Sequence, residues 1–472
     1  MAAHSIDNPY TRGIAAFVSS LQYEDIPQEV RQRIKLLVLD SLGCGLYGAH
    51  LPWTDILRDT LTEVDATRTT PVWGTDQALS APNAALLNGT QVQGFELDDV
   101  HRQGVLHVGA VTLPALLATI GPDSALNGRD LLTAIVAGYE IGPRVGMCMG
   151  QEHIGQGWHS GATLGVFSAA AGAARALGLT EEQTIHALGI AGTQAAGLMA
   201  AQYGAMVKRM HAGRSSQSGL YAALLAKNGF TGIIDVFEAP YGGFCGTFSR
   251  STDRFNLAEL TGGLGERWET MRISLKFYSC VGSNHTTLDA IRAIQERHPF
   301  TLDELDSIVV YGSQVTADHV GWPYRPEGLT SAQLNLPFCV ATLLLEGDVF
   351  VEQFDEACVT DQRRIDLSRK VEVRHDPAIT ALGSKFRHKV RVEVHYRDGS
   401  VETETREAPR GSEYSFASEA DLVDKFNKLT RHVLPQDQCD AIVEAVLGME
   451  RLDYAHRLVE LLRRNPAQRV AA

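Results

Sequence analysis

The sequence of 472 residues has few cysteines, and none of them form a close pair along the chain. The seven cysteines are scattered and include no Cys-x-x-Cys pair, so neither a disulfide framework nor a zinc site of that kind is indicated. The N-terminal segment MAAHSIDNPYTRG lacks the apolar core of a signal peptide. We therefore expect reduced thiols and a location in the cytoplasm.

Long apolar runs and basic runs are also absent from the sequence. No stretch approaches the ~18 uninterrupted apolar residues that are needed to span a bilayer. The formal net charge of -14 disfavours binding to phosphate backbones and to anionic lipid, and no run of Lys and Arg reverses this locally. We expect a soluble protein that binds neither nucleic acid nor a membrane.

Helical periodicity dominates from Tyr10 to about Phe237 and returns from Ser418 to Arg464. The clearest helical segments are Val30–Leu46, Leu131–Met147 and Gln183–Leu198, the last preceded by a capping box of Thr180 and Gln183. The sequence contains 44 glycines, and most of them lie among alanines, which suggests closely packed helices. The length exceeds the size at which one hydrophobic core stops growing, so two domains are expected.

Alternation with period two appears after Trp268 and predicts a small sheet with helices between its strands. The predicted strands are Ser307–Tyr311, Lys370–Arg374, Lys389–His395 and Val401–Thr405, the last two joined by a turn at Arg397–Gly399. The sequence therefore predicts a mostly α protein. A large all-helical domain, residues 1–268 and 410–472, is interrupted by a smaller α+β domain, residues 269–409.

The segment from Glu96 to His107 concentrates ionisable side chains beside a predicted helix end. It contains the carboxylates of Glu96, Asp98 and Asp99 and the imidazoles of His101 and His107. Packing gives no reason for this concentration, so we expect carboxylates that orient imidazoles toward an anionic substrate. Two alternatives stay open, a divalent metal site and a solvated acidic helix cap. No His-Glu-x-x-His motif supports the metal site.

A second candidate site is Gly155–Gly161, which contains His159 and precedes an Ala/Gly-rich helix. Free amides at a helix start attract a carboxylate, and His159 would lie beside them. A histidine at this position can equally be structural. A dinucleotide-binding loop is the other alternative, but no strand precedes the segment and its glycine spacing is wrong for that loop.

Cationic residues form the remaining candidates. Lys208 and Arg209 lie in the Met-flanked segment Gln202–His211 between two apolar helices, where burial would be costly unless they face anions; otherwise the segment is a surface loop. Lys276 lies at the predicted domain junction, where small-molecule sites are common. His319 lies in a predicted loop that could close over such a site or form a plain turn. The sequence contains no Gly-x-Ser-x-Gly motif, so covalent catalysis by a serine is not indicated.

The sequence resembles the MmgE/PrpD family, which includes 2-methylcitrate dehydratase, cis-aconitate decarboxylase and iminodisuccinate epimerase. The segments that carry the resemblance are Lys35–Gly43, Asn88–Gly89, Glu96–Asp99, Gly157–His159, Ala187–Ala191 with Lys208, and Tyr241–Phe244. The resemblance implies a mostly helical domain with a smaller α+β lid, a homodimer, and a site between the domains that needs neither metal nor cofactor. The motifs are most similar to those of the decarboxylases and the epimerase.

The resemblance also implies which residues build the site. In the family's decarboxylases the site uses an acidic residue, two histidines and a lysine, which match Glu96, His107, His159 and Lys208; Asp98 and Asp99 match an acidic pair of the family. Some decarboxylases have threonine where this chain has Val100, and histidine where it has Val281. Other decarboxylases of the family also lack that histidine.

We interpret the chain as a lyase that acts on a small di- or tricarboxylate by cofactor-free acid/base chemistry. Lys208, Lys276 and Arg209 would bind carboxylates, and His159 would transfer the proton. The residues with supporting roles are His107 as second acid/base group, Asp98 as its orienting partner, Glu96 and Asp99 as further orienting residues, and His101 and His319 as substrate contacts.

Three other functions stay open at this point. The first is epimerisation of an amino-dicarboxylate such as iminodisuccinate, for which two acid/base groups on opposite faces suffice. The second is a metal-dependent hydrolase that uses Asp98, Asp99, His101 and His107. A binding module is the third and the least supported, since a bare scaffold has no need for clustered ionisable groups.

Overall fold

The computed structural model describes residues 8–150, 152–203 and 205–465. Most of the N-terminal segment that argues against a signal peptide, and Gly204 of the lysine segment, lie outside these ranges. Helix accounts for 57% and strand for 9% of the chain, which confirms the prediction of a mostly helical protein with a small sheet. By contacts the chain divides into two compact units, one with the residues up to Gly94, 98–274 and those from Ser418 on, and one with 95–97 and 275–417.

The first unit is built from helices and short strand pairs. Its helices before residue 275 are α1 (Pro9–Ser20), α2 (Gln28–Gly48), α3 (Pro52–Val64), α4 (Ala81–Val92), α5 (Val108–Leu117), α6 (Gly128–Met149), α7 (Glu152–Gly155), α8 (Ser160–Thr163), α9 (Gly165–Ala176), α10 (Glu181–Gly192), α11 (Val207–Lys227), α12 (Phe244–Ser249) and α13 (Ala258–Thr261). Its antiparallel pairs are β1 (Thr70–Pro71) with β2 (Ala78–Leu79), and β3 (Val100–His101) with β4 (Ile273–Ser274).

Helix α10 shows where the predicted helices hold and where they fail. The predicted capping box is present, because the Thr180 hydroxyl accepts the N–H of Gln183. The predicted extension to Leu198 is wrong, since the helix ends at Gly192. Glycine has a low helix propensity. The chain beyond it forms a loop in which the Gly197 carbonyl accepts an N–H from another segment instead of continuing the helix.

Helices α4 and α11 approach each other through glycine. A Cβ atom added at Gly213 would lie 2.0 Å from the Leu86 carbonyl oxygen, and one at Gly89 would lie 2.7 Å from the Gly213 Cα. Any larger side chain would push the two helices apart, because packed interiors have no spare space. The expectation that the abundant glycines serve close helix packing is confirmed here. The contact also fixes α11, which carries Lys208 near its start.

The second unit contains a mixed sheet of four strands in the order β6-β5-β7-β8. The strands are β5 (Leu305–Gly312), β6 (Val371–His375), β7 (Val390–Tyr396) and β8 (Val401–Arg406), and the helices are α14 (Gly282–Arg297), α15 (Gln314–Val320), α16 (Leu329–Leu334), α17 (Leu336–Glu346), α18 (Glu356–Thr360), α19 (Gln362–Ser368) and α20 (Pro377–Ala381). Strand β5 pairs parallel with β6 and antiparallel with β7, which pairs antiparallel with β8. All four predicted strands are confirmed within a few residues.

The predicted loop around His319 is wrong in part, because Asp318 and His319 lie in α15. The Ser313 hydroxyl caps this helix by accepting the N–H of Thr316. The Gln314 amide donates to the Asp318 carboxylate at 2.7 Å, one helical turn later. These local hydrogen bonds stabilise a short helix whose apolar pattern is too brief to be recognised in the sequence.

The chain returns to the first unit with α21 (Glu419–Thr430), α22 (Gln436–Leu447) and α23 (His456–Leu461). Ser418 caps α21 by accepting the N–H of Asp421. No single helix of the described residues is long and apolar enough to cross a membrane, although the bent pair of α2 and α3 meets that test by length and composition.

Candidate active site

The first group of candidate residues surrounds His107, which occupies the N-cap position of α5. Its Nδ1 lies 2.9 Å from the Asp99 backbone carbonyl and 3.0 Å from the Asp98 carboxylate. A carbonyl oxygen can only accept a hydrogen bond, so Nδ1 carries the ring hydrogen. Nε2 is then the nitrogen that can take up a proton or return one, which is what an acid/base group at this position requires.

The Asp99 carboxyl anchors the start of α5. Its two oxygens lie 3.0 and 3.2 Å from the Gly109 nitrogen and accept its N–H. Burial raises the pKa of Asp99 far above its usual range, and the charges of Asp98 and Asp40 add to this, although the Gly109 N–H opposes it. Burial therefore favours the protonated form of Asp99 more than in an exposed aspartate, and the carboxyl group that contacts the His107 ring is that of Asp98.

A buried ion pair lies in the same cluster. The Lys425 ammonium of α21 donates to the carboxylate of Asp40 in α2, and both side chains are almost fully buried. Burial alone would lower the pKa of Lys425, but the neighbouring Asp40 carboxylate outweighs it and the net shift is upward. Lys425 also interacts electrostatically with Asp98. The lysine thus supplies positive charge to a cluster that contains three buried aspartates.

His101 is held by the protein through both ring nitrogens. Nδ1 accepts the Gly104 N–H at 2.9 Å, so Nε2 carries the hydrogen and donates it to the Glu269 carboxylate at 3.1 Å. Glu269 also accepts from Arg267 and Arg272 at 2.7 and 3.1 Å. Burial raises the pKa of Glu269, but these partners outweigh it and lower the pKa to about 2. This geometry explains His101 as an anchor of its segment.

His159 occupies the N-cap position of α8. The chain reaches it through Gly157, whose φ of 94° lies in the left-handed region that favours glycine. The His159 N–H donates to the Gly197 carbonyl at 3.1 Å. The imidazole is 7% exposed and lies beside the ring of His211, with 4.6 Å between the ring centroids. The sequence expectation that His159 lies at a helix start is confirmed.

The lysine segment enters α11 rather than forming a surface loop throughout. Lys208 and Arg209 lie in the first turn of that helix. The Arg209 guanidinium lies over the Trp53 ring, 5.6 Å from its centroid, and the side chain is buried. Successive helical residues point in different directions, so Lys208 and Arg209 do not face the same partner. Lys208 interacts with His211, three positions later.

Glu96 and Lys276 belong to the second unit, where they lie together. The Lys276 ammonium is 3.5 Å from the Glu96 carboxylate, and both side chains are buried. Glu96 adopts a φ of 58°, which is uncommon for a residue with a Cβ atom. The segment is held by the Phe95 carbonyl, which accepts from the Ser279 hydroxyl at 2.9 Å. The paired Glu96 is thus suited to orient a lysine rather than to act as a base.

His319 is exposed on α15, with its Nδ1 3.5 Å from the Ser283 hydroxyl. Within the described ranges, no three or more His, Cys, Asp or Glu side chains are arranged to hold a metal ion. In particular, both ring nitrogens of His101 are hydrogen-bonded within the protein, Nε2 to Glu269 and Nδ1 to the Gly104 N–H. The geometry therefore gives the metal-dependent alternative no support.

Comparison with known proteins decides the family. Models of the MmgE/PrpD N-terminal and C-terminal domains match residues 12–256 and 278–449. The chain belongs to the MmgE/PrpD family. Membership of the MmgE/PrpD family confirms the resemblance that the motifs indicate.

Several proteins that are similar to this chain are named cis-aconitate decarboxylase or cis-aconitate decarboxylase-like. A cis-aconitate decarboxylase-like protein oryM from Aspergillus oryzae is 34% identical over 469 residues, which cover 96% of this chain and 97% of that protein. A cis-aconitate decarboxylase from Aspergillus terreus is 33% identical over 483 residues, which cover 98% of each chain. The Homo sapiens cis-aconitate decarboxylase is 25% identical over 467 residues, 96% of this chain and 94% of that one. These relationships support a lyase of the decarboxylase or dehydratase type.

Sequence reasoning alone does not identify three residues of these clusters. Lys425 lies 385 positions from Asp40, and no local sequence pattern predicts a contact over that separation. Glu269 is likewise recognised only through its distance to His101. His211 had a usable signal, because a helix that starts before Lys208 brings positions three apart to one side.

Proposed function

We propose that the protein decarboxylates cis-aconitate. The observation that carries this proposal is the similarity, over nearly the whole chain, to two Aspergillus proteins named cis-aconitate decarboxylase or decarboxylase-like. The imidazoles of His107 and His159 and the ammonium groups of Lys208 and Lys276 are the side chains that such a reaction needs. Dehydration of 2-methylcitrate is the related reaction of the same enzyme class.

Substrate carboxylates would be bound by lysines. A tricarboxylate brings several negative charges to a protein whose own formal charge is -14, so local cations are required. Lys208 at the start of α11 and Lys276, which Glu96 holds at 3.5 Å, supply them. Arg209 and His319 remain proposed substrate contacts, and the buried stacking of Arg209 on Trp53 makes it the less direct of the two.

Decarboxylation requires one carbon-carbon bond to break and one carbon-hydrogen bond to form. The bond between one carboxyl carbon and its neighbour breaks, carbon dioxide leaves, and the electron pair moves over the carbon-carbon double bond toward a remaining carboxylate. Ammonium groups beside that carboxylate stabilise the developing charge. Protonated His159 donates its proton to carbon, which forms the new carbon-hydrogen bond, and the imidazole then takes up one proton from the solvent, so each turnover consumes one proton. His107, with Nδ1 held by Asp98 and Asp99, is the second proton-handling group.

The proposal is tested by giving the purified protein cis-aconitate, 2-methylcitrate and iminodisuccinate in separate reactions. Carbon dioxide release, ultraviolet absorbance of the conjugated double bond and stereoisomer composition are followed for each. We expect carbon dioxide release from cis-aconitate, together with one five-carbon dicarboxylate per molecule of gas. A parallel reaction with added chelator should run at the same rate.

Other outcomes assign the other reactions. Loss of water from 2-methylcitrate without carbon dioxide would identify a dehydratase. Interconversion of iminodisuccinate stereoisomers alone would identify an epimerase. Activity that chelator abolishes would identify metal-dependent chemistry, and each of these results would reject the decarboxylase proposal.

We also propose the finer architecture that the family resemblance implies. Residues 1–268 and 410–472 would form the helical domain, and residues 269–409 the inserted α+β lid domain. The contact units, which change after Ser274 and at Ser418, support boundaries near these positions. We propose a cytoplasmic homodimer, for which sedimentation equilibrium should give twice the mass of one chain and a monomer mass would contradict the assignment.

A further inference from the structure

Helix α11 carries a third imidazole beside the proposed proton donor. His211 follows Lys208 by three positions, so the two side chains lie on one side of the helix. The His211 ring centroid is 4.6 Å from that of His159, and the two ring planes are inclined by 50°.

The His211 side chain has an unsatisfied buried nitrogen. The residue is 7% exposed, and its Nδ1 has no hydrogen-bond partner among the residues that the structure describes. Buried polar atoms are nearly always hydrogen-bonded, and an exception calls for a ligand or water as partner. Two glycines border the paired rings. A Cβ atom added at Gly161 would lie 3.2 Å from the His159 ring, and one added at Gly197 would lie 3.6 Å from the His211 ring.

The surroundings of His211 favour a neutral ring. Burial lowers its pKa, and the charge of Lys208 lowers it further. A neutral imidazole keeps one N–H donor and one acceptor. An N–H donor next to an ammonium group matches the two oxygens of one carboxylate, and hydrogen bonds to ionised carboxylates are stronger than those between neutral groups.

We propose that His211 is a substrate-binding residue that donates a hydrogen bond from Nδ1 to the carboxylate with which Lys208 pairs. This inference rests on the proposed function and deepens it, because it names how a small polycarboxylate is recognised. His211 and Lys208 together form one carboxylate position, whereas His159 handles the proton.

The test compares two substitutions of His211, one that keeps the planar ring and one that keeps the hydrogen-bond donor. His211→Phe keeps a planar ring against His159 but removes the donor, whereas His211→Asn keeps an amide N–H close to the position of Nδ1. The exposed His432 provides the matched control, His432→Phe. For each full-length protein, the Kd of tricarballylate, an unreactive tricarboxylate, is measured by calorimetry, and kcat and KM are measured with cis-aconitate.

We expect His211→Phe to raise the Kd and the KM by about tenfold, with kcat within about threefold of wild type, because one hydrogen bond to a charged group is lost. His211→Asn should stay within about threefold of wild type in all three quantities, and His432→Phe should be unchanged. Circular dichroism and the Tm confirm that each variant is folded. In the wild-type protein with isotope-labelled histidine, tricarballylate should shift the His211 side-chain nitrogen resonance, which requires no variant to fold.

Several results would overturn the inference. If the Kd of tricarballylate for His211→Phe is within twofold of the wild-type value, His211 has no binding role. If the Phe and Asn variants lose affinity equally, His211 contributes through packing alone and the inference is also rejected. An unshifted His211 resonance at saturating tricarballylate does the same. If wild-type protein binds no polycarboxylate at all, the proposed function fails as well, so the two failures are distinguishable.

Discussion

The carboxylate of Asp98 lies 3.0 Å from Nδ1 of His107, which also lies 2.9 Å from the Asp99 carbonyl. This relationship fixes both the tautomer and the orientation of the imidazole. A carboxylate behind a histidine stabilises the imidazolium form when the opposite nitrogen takes up a proton. The tautomer and the orientation of His107 are therefore set by two aspartates that are themselves fully buried.

Replacing Asp98 should expose this dependence. Asp98→Asn keeps the shape of the side chain but replaces the carboxylate beside Nδ1 with a neutral amide, so we expect kcat to fall by ~10–100-fold with a smaller change in KM. Steady-state kinetics with cis-aconitate provides the measurement. The exposed Asp123 gives the control Asp123→Asn, which should leave kcat unchanged. An Asp98→Asn enzyme with kcat within threefold of wild type would show that the contact has no catalytic role.

The buried pair of Lys425 and Asp40 makes a prediction for stability. Lys425→Met leaves Asp40 buried without its ammonium partner, so the free energy of unfolding should fall by ~3–5 kcal/mol. The double variant Asp40→Asn with Lys425→Met should recover most of that loss, since no unpaired charge remains. Urea unfolding followed by circular dichroism measures both.

An exposed lysine on the same helix provides the control. Lys428 pairs with Asp424 at 2.8 Å on the surface of α21, and Lys428→Met should cost less than ~1 kcal/mol. Equal destabilisation by the Lys425 and Lys428 substitutions would contradict the account of a charge-balanced buried cluster.

Glu269 should make the stability depend on pH in the acid range. Its folded pKa, about 2, lies below the usual value of 4.5. The stabilisation from ionised Glu269 is therefore fully present above pH 4.5 and is lost as the pH falls toward 2. Glu269→Gln should reduce the free energy of unfolding by ~3 kcal/mol at neutral pH, and the difference from wild type should shrink between these two pH values.

Unfolding titrations at a series of pH values measure this prediction. Glu259, which contacts Arg267 at the surface at 3.2 Å, offers the control Glu259→Gln, whose effect should be below ~1 kcal/mol. A Glu269→Gln difference that is constant across the acid range would show that Glu269 does not titrate with the folded state.

Gly213 tests the close approach of α4 and α11. Gly213→Ala places a Cβ 2.0 Å from a carbonyl oxygen, so the helices must separate, and we expect a loss of ~1–3 kcal/mol in the free energy of unfolding. Gly121→Ala is the matched control, since no atom lies within 4 Å of its added Cβ. Thermal unfolding distinguishes the two, and equal Tm values for both variants would contradict the packing argument.

Much of the fold could be predicted from sequence periodicity. The strands β5 to β8 and the helices α2 and α6 were accessible because their apolar residues repeat over many positions. Helix α15 was missed because its stability comes from the Ser313 cap and not from an apolar repeat. The end of α10 at Gly192 was missed because the competing hydrogen bond to Gly197 comes from a segment distant in sequence.

The candidate site was predictable where chemistry is concentrated in a short segment. The segment with Asp98 and His107 is conspicuous because it collects three carboxylates and two imidazoles within twelve positions. Contacts such as those of Lys425 with Asp40 join residues hundreds of positions apart, and a lysine inside an amphipathic helix gives no sign of being buried. The role of His101 also depends on which partner its ring meets, which only the fold determines.

The rate of carbon dioxide release from cis-aconitate by wild type and by His159→Gln tests the central claim most directly. We expect the wild-type protein to release one carbon dioxide per substrate and to incorporate one solvent deuteron into the product carbon skeleton, with His159→Gln at least ~100-fold slower. The exposed His432→Gln should match wild type. No carbon dioxide from cis-aconitate, or an unchanged rate in His159→Gln, would contradict the account.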